Sequence, residues 1–155
     1  MADGSVAVRD QRQRKKDLLE RLEREADIWV ASADGHGMPC LVPLSFLWDG
    51  EAVWLSTRRT NPTGRNLNEV GLARLSLADT RDVVLIAGTV EVFGLDEVPV
   101  ATADAFAATS RWDPRRPGNG PSYAYYRVTP TEVQVWYEEA ELPARHLMRD
   151  GVWAV

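Results

Sequence analysis

The sequence predicts a mainly β domain of the α+β class: a small antiparallel barrel of about six strands with peripheral helices. Three observations carry this reading. Apolar or alternating runs of strand length recur along the chain, most of them separated by turn-forming residues. Helical periodicity is confined to the start and to two connecting segments. A closed or nearly closed barrel would also leave few unpaired strand edges.

The elements follow in order. Residues 1–9 carry no pattern and are expected to be loose. From Asp10 to Ala26 charge is dense, and Leu18, Leu19, Leu22 and Ala26 recur at helical spacing, which predicts an amphipathic helix. Arg12, Arg14, Lys15 and Lys16 read as its solvated basic face. Ile28 to Ser32 is a short strand, and Ala33-Asp34-Gly35-His36-Gly37 supplies hairpin chemistry. Met38 to Trp48 is a longer strand in which Pro39 and Pro43 cannot donate to a ladder, so it needs an edge, a bulge or a ligand there. A turn at Trp48-Asp49-Gly50-Glu51 leads to a third strand, Ala52 to Thr57. Asn61 as N-cap and Pro62 as first residue open a short helix that runs to Val70 and ends at Gly71.

Leu72 to Ala78 alternates with period two, and Asp79-Thr80-Arg81-Asp82 turns the chain into a long strand, Val83 to Gly94, with Gly88 as its bulge. The alanine-rich stretch Val100 to Trp112 favours helix, and Asp113 to Pro121 is a loop. Tyr123 to Val128 and Glu132 to Tyr137 read as a last hairpin around Thr129-Pro130-Thr131. The tail through His146 and Trp153 adds a further short element. One domain over residues 1–155 accounts for the whole pattern.

Composition narrows the functional classes. A net charge of −5 argues against nucleic acid as a partner. No run approaches the roughly 20 apolar residues of a membrane span, and the basic N-terminus lacks the apolar region of a signal peptide. Cys40 is the only cysteine, which excludes an internal disulfide and fits a reducing cytoplasm. His36 and His146 have no partner cysteines, so no metal site is expected.

The junction from Trp54 to Leu67 stands out against this acidic background. It gathers Arg58, Arg59 and Arg65 with the hydroxyl and amide groups of Thr57, Thr60, Asn61, Thr63 and Asn66 where a strand meets a helix. Unpaired helix N–H groups and arginine forks together suit a phosphate.

Three patterns then resemble the pyridoxamine 5'-phosphate oxidase-like split-barrel family, which binds flavin or deazaflavin. They are Gly37-Met38-Pro39-Cys40-Leu41-Val42-Pro43-Leu44-Ser45-Phe46, the junction with its Arg65-Asn66-Leu67, and Tyr126-Arg127-Val128-Thr129-Pro130-Thr131-Glu132-Val133-Gln134-Val135-Trp136. In order and spacing they cover most of the chain. The resemblance implies a homodimer with two cofactor sites at the subunit interface. It implies that Val42, Pro43 and Leu44 line the ring, that Thr57 and Arg58 meet the phosphate, and that Arg65 and Asn66 hold the phosphate or ribityl chain. It also implies that Trp136 reaches the ring bound by the partner subunit. Many members carry a lysine where this chain has Thr63, so one phosphate charge is missing unless Arg58 or Arg59 replaces it. Loss of one charge-assisted hydrogen bond, at roughly 1.5–3 kcal/mol, would weaken a cofactor tenfold or more.

The implied activity is that of an oxidoreductase using FMN or the deazaflavin coenzyme F-420 on a small organic substrate. The alternative is a non-catalytic flavin- or heme-binding module, for which His146 in its arginine-rich tail is the one weak pointer to heme. Arg111, Arg115 and Arg116 are candidates for the acidic tail of the deazaflavin. Arg145-His146-Leu147-Met148-Arg149 matches the substrate motif of true pyridoxamine phosphate oxidases poorly, so that reaction is not expected. No catalytic residue stands out: turn chemistry explains Asp34 and His36, and Cys40 reads as a small buried hydrophobe.

Overall fold

The computed structural model describes residues 7–155. Asp10 caps the first helix, α1 (Gln11–Arg24), by accepting from the Gln13 N–H. Three strands follow: β1 (Asp27–Ala33), β2 (Pro39–Trp48) and β3 (Val53–Arg58). Helix α2 (Pro62–Glu69) leads to β4 (Leu72–Ser76) and β5 (Asp82–Phe93), and helix α3 (Val100–Ser110) leads to β6 (Tyr123–Tyr137). Two short strands, β7 (His146–Arg149) and β8 (Val152–Trp153), end the order. All pair antiparallel in the sequence β3-β2-β1-β4-β5-β6-β7-β8, and an added β3–β6 pairing closes the first six into a barrel. The predicted six-stranded antiparallel barrel with peripheral helices is therefore the observed one.

Strand alternation fills the barrel. Ile28, Val30, Phe46, Val53, Leu55, Leu75, Val84 and Ile86 point inward and are buried, and Leu18 and Leu22 of α1 pack against the same core. A second apolar cluster lies outside it, where Phe106 of α3 packs with Trp54 and Tyr125. Among the described residues no helix is long and apolar enough to cross a membrane.

Two expectations are corrected. The last hairpin is one strand: β6 runs unbroken through Thr129-Pro130-Thr131. Its first half pairs with β3, its second half carries β7, and β5 lies along nearly all of it. Ala87 faces Glu132 but Gly88 faces Pro130, so Thr131 is the extra residue of a bulge. A proline is tolerated beside such a bulge because a ladder donor is missing there anyway. Gly88 meets this bulge across the ladder; a Cβ there would lie 2.5 Å from the Thr129 carbonyl oxygen.

Arg14 is not on a solvated face. It is 3% exposed and donates to the carbonyls of Val135, Glu141, Pro143 and Ala144. Residues 1–6 of the stretch expected to be loose lie outside the described residues. Arg9, at its end, bonds Asp17, Asp82 and Glu141.

Candidate functional site

Asn61 organises the strand-to-helix junction. Its side-chain oxygen accepts from the Gly64 N–H at 2.9 Å, and its amide donates to Thr57 Oγ1 at 2.7 Å. The helix start is thereby tied to the end of β3. The same capping uses up helix donors: Pro62 has none, Gly64 N–H is taken, and Arg65 N–H binds the Asn61 carbonyl. Positive charge at the junction therefore comes mainly from guanidinium groups. Arg58, Arg59 and Arg65 are exposed, and none forms an ion pair among the described residues. Arg58 lies over the Tyr123 ring at 4.5 Å and donates to Ser122 Oγ at 2.7 Å.

The other junction residues face inward. Thr63 is buried with Oγ1 3.4 Å from Cys40 Sγ, and Asn66 is buried with its amide donating to Ser32 Oγ. Both dock α2 on the barrel. On β2 the alternation separates the three predicted ring-lining residues: Val42 and Leu44 pack toward the core, whereas Pro43 is exposed on the outer face.

Pro43, Leu44 and Thr57 nonetheless meet at one cavity of about 450 Å³. Ser56, Phe106, Trp112 and Tyr123 complete much of its lining, and its volume lies in the usual range for small-molecule sites. Sequence reasoning missed Phe106, Trp112 and Tyr123. The available signal was that two aromatic residues, Trp112 and Tyr123, bracket the loop. Of the loop arginines, Arg115 is committed to Asp104 and Asp113 at 2.8 and 2.9 Å, while Arg111 and Arg116 are exposed.

Trp136 stands at the other end of β6 from Tyr123, so one protomer does not bring it to the junction. It does share a face with Pro43. Opposite residues of an antiparallel pair lie on one side of the sheet. The register pairs Pro43 with Trp29, Trp29 with Ser76, Ser76 with Leu85 and Leu85 with Gln134. Trp136, two residues beyond Gln134, lies on that side too. The outer face of β2-β1-β4-β5-β6 thus runs from Pro43 at one margin to Trp136 at the other. Trp29, Leu41 and Leu72 are 41%, 63% and 58% exposed on it.

No acid–base pair stands in the cavity. Asp34 accepts from the N–H groups of His36 and Met38, as turn chemistry predicts, and His146 Nε2 lies 3.1 Å from Glu132. Among the described residues no group of three or more His, Cys, Asp or Glu side chains is placed to hold a metal ion.

Comparison with solved structures returns the same architecture in proteins of low sequence identity. An F-420 reductase is 19% identical with a TM-score of 0.60, covering 74% of this chain and 93% of its own. HutZ, the heme storage protein from Vibrio cholerae, is 13% identical with a TM-score of 0.64, covering 79% and 94%. A Clostridium acetobutylicum protein related to general stress protein 26, of the pyridoxinephosphate oxidase family, is 17% identical with a TM-score of 0.62, covering 84% and 92%. No curated protein matches at a significant level. The family model for pyridoxamine 5'-phosphate oxidase matches residues 15–137, a span that contains the junction, the cavity and both margins of the outer face; the chain belongs to the pyridoxamine 5'-phosphate oxidase family.

Proposed function

We propose that this chain is a flavin- or deazaflavin-dependent oxidoreductase acting on a small organic substrate, with each cofactor held between two copies of the chain. The supporting observation is the position of Pro43 and Trp136 at opposite margins of one outer face on which Trp29, Leu41 and Leu72 are exposed. Packing that face on a second copy about a two-fold axis brings Trp136 of one protomer toward the Pro43 cavity of the other. Such packing also removes Trp29, Leu41 and Leu72 from water.

The junction fits the phosphate end of the cofactor by charge: Arg58, Arg59 and Arg65 lie at the end of β3 and the start of α2, exposed and without carboxylate partners among the described residues. Helix donors contribute less, because Asn61 and Pro62 have used or removed them, and Thr63 supplies no charge. Arg58 and Arg59 take over the missing role, with Arg65 beside them. Pro43 and Leu44 line the ring and exclude water from one side. Bound there, the cofactor supplies hydride transfer, and the protein supplies position and electrostatics. The F-420 reductase likeness favours a deazaflavin alongside FMN. The HutZ likeness favours, as the second reading, a flavin- or heme-binding module without turnover. A single free thiol, Cys40, suits a cytoplasmic setting.

Native mass spectrometry of the purified protein, joined to titrations with FMN and F-420, tests the proposal. The expected result is a dimer binding one cofactor per protomer, with the double substitution of Arg58 and Arg65 by alanine weakening binding about a hundredfold. Leu41→Glu, a change of an exposed residue, is expected to give folded monomers that have lost the cofactor. Failure to bind either cofactor, or affinity indifferent to both arginines, refutes the reading. A heme-type spectrum without flavin uptake selects the module instead.

A further inference from the structure

The cofactor reading uses the β2 and β3 residues of the cavity and leaves the rest of its lining unassigned. That remainder comes from the start of β1, from α3 and the segment after it, and from the start of β6. We propose that Phe106, Trp112 and Tyr123, with Asp27 as the only charged residue in the lining, form a substrate subsite. It accepts a planar aromatic compound, neutral or cationic, that carries no phosphate or carboxylate. The proposal rests on the cofactor reading for its role in a reaction, but not for the existence of the subsite.

The aromatic wall is held by contacts within the chain itself. Arg111 adopts the left-handed conformation (φ 57°) and turns the chain just after α3. Ser110 Oγ then donates to the Trp112 carbonyl at 2.8 Å and accepts from its N–H at 3.3 Å, which fixes the Trp112 backbone. The Trp112 and Tyr123 rings meet edge to face, centroids 4.9 Å apart, and Phe106 is braced in the same manner on Tyr125 at 5.6 Å. Edge-to-face pairing leaves a Trp112 face for a flat guest, while Arg58 already covers one face of Tyr123.

The charge pattern sets the class of guest. Asp27 is an exposed carboxylate that accepts from Ser45 Oγ at 3.3 Å, and the lining holds no lysine, arginine or histidine. Arg58 is not part of the lining, but its guanidinium lies over one face of the Tyr123 ring at 4.5 Å while it donates to Ser122 Oγ. Arg115 is occupied by Asp104 and Asp113. Within the lining an anionic guest would meet the Asp27 carboxylate, whereas a cation gains that carboxylate and the Trp112 ring.

Calorimetric titration with three matched probes tests this: 2-naphthylmethylamine, 2-naphthol and 2-naphthyl phosphate, each with the protein alone and with FMN-saturated protein. The amine is expected to bind tightest, the naphthol next, and the phosphate at least tenfold weaker. Trp112→Ala should weaken the first two about tenfold. Asp27→Asn, at an exposed position, should remove the preference for the amine and leave the naphthol unchanged. Equal binding of phosphate and amine, or indifference to both substitutions, overturns the proposal. If FMN is not taken up yet the probe order holds, the subsite stands and only the cofactor reading falls. If FMN displaces every probe, the aromatic wall holds the flavin itself and the proposal is wrong.

Discussion

Replacing Glu141 by glutamine is expected to destabilise the fold by about 3–5 kcal/mol, read as a lowered midpoint in urea. The carboxylate is 3% exposed and accepts from the Arg9 N–H at 3.0 Å, from the Arg9 guanidinium at 2.8 and 2.9 Å, and from the Tyr137 N–H at 2.9 Å. Arg14 Nε lies 3.5 Å away and is equally buried. Arg9 keeps Asp17 and Asp82 when the charge at 141 is removed, but Arg14 keeps no carboxylate within 4.0 Å among the described residues. A buried guanidinium without its counter-charge is the source of the loss. Arg81→Ala is the contrasting control: its bridge to Glu138 joins side chains 74% and 47% exposed, so its removal should change stability by less than about 1 kcal/mol. Similar losses for the two variants would show that burial of the Glu141 pair is not what matters.

The same site sets an acid limit. Burial pushes the Glu141 carboxyl up, but the bonds from Arg9 and Tyr137 more than reverse this and hold it at about 2, against an ordinary 4.5. A carboxyl depressed in the folded state stabilises the fold fully above its unfolded value, and that stabilisation disappears as pH falls through the folded value. The window is thus pH 4.5 down to about 2, and the amount is on the order of 3 kcal/mol. Asp49, Asp79 and Asp113 are shifted the same way and add to the trend. In acid titrations followed by circular dichroism, Glu141→Gln should show a shallower loss of stability across this window than the parent protein. Parallel curves would contradict the assignment.

Arg14 also shows where reading from sequence stops. The strands were legible because alternation and turn chemistry are local, and the junction was legible because Asn61 and Pro62 mark a helix start by themselves. Arg14 sits among other basic residues, and only β6 and the return of the chain after it supply the carbonyls and the carboxylate that bury it. Thr129-Pro130-Thr131 misled for a related reason. Proline fits a hairpin turn and a bulge equally well, and the choice depends on β5 running the length of β6. The candidate site divides the same way. Pro43, Leu44 and Thr57 were expected at a site through the family resemblance of their segments, whereas Phe106, Trp112 and Tyr123 reach the cavity only because α3 packs on the outer face of β2 and β3. Trp136 and Pro43 are linked by the register of five strands, which no single segment encodes.

Gly64→Ala should disrupt the junction despite improving helix propensity. Alanine in a helix interior is favoured over glycine by about 1 kcal/mol, so propensity alone forecasts a gain. A Cβ at this position, however, would run into the Arg58 carbonyl oxygen and would lie 2.9 Å from the Tyr126 hydroxyl. The first contact is with backbone, which cannot rotate away, and overpacking of this kind costs typically 1–3 kcal/mol. Helix α2 must then lift from the end of β3, and Arg58 and Arg65 separate. The expected result is a net loss of about 1–2 kcal/mol in urea unfolding, together with at least a tenfold weaker cofactor titration. Tyr126 distinguishes the two contacts. Its hydroxyl is fully buried with no hydrogen-bond partner among the described residues, so Tyr126→Phe alone should be neutral or stabilising. Added to Gly64→Ala it should recover only a minor part of the loss, because the Arg58 carbonyl remains in the way. Full recovery in the double variant would place the constraint on the hydroxyl. A Gly64→Ala protein as stable as the parent, with unchanged affinity, would mean that the close approach of α2 to β3 is not what positions the arginines.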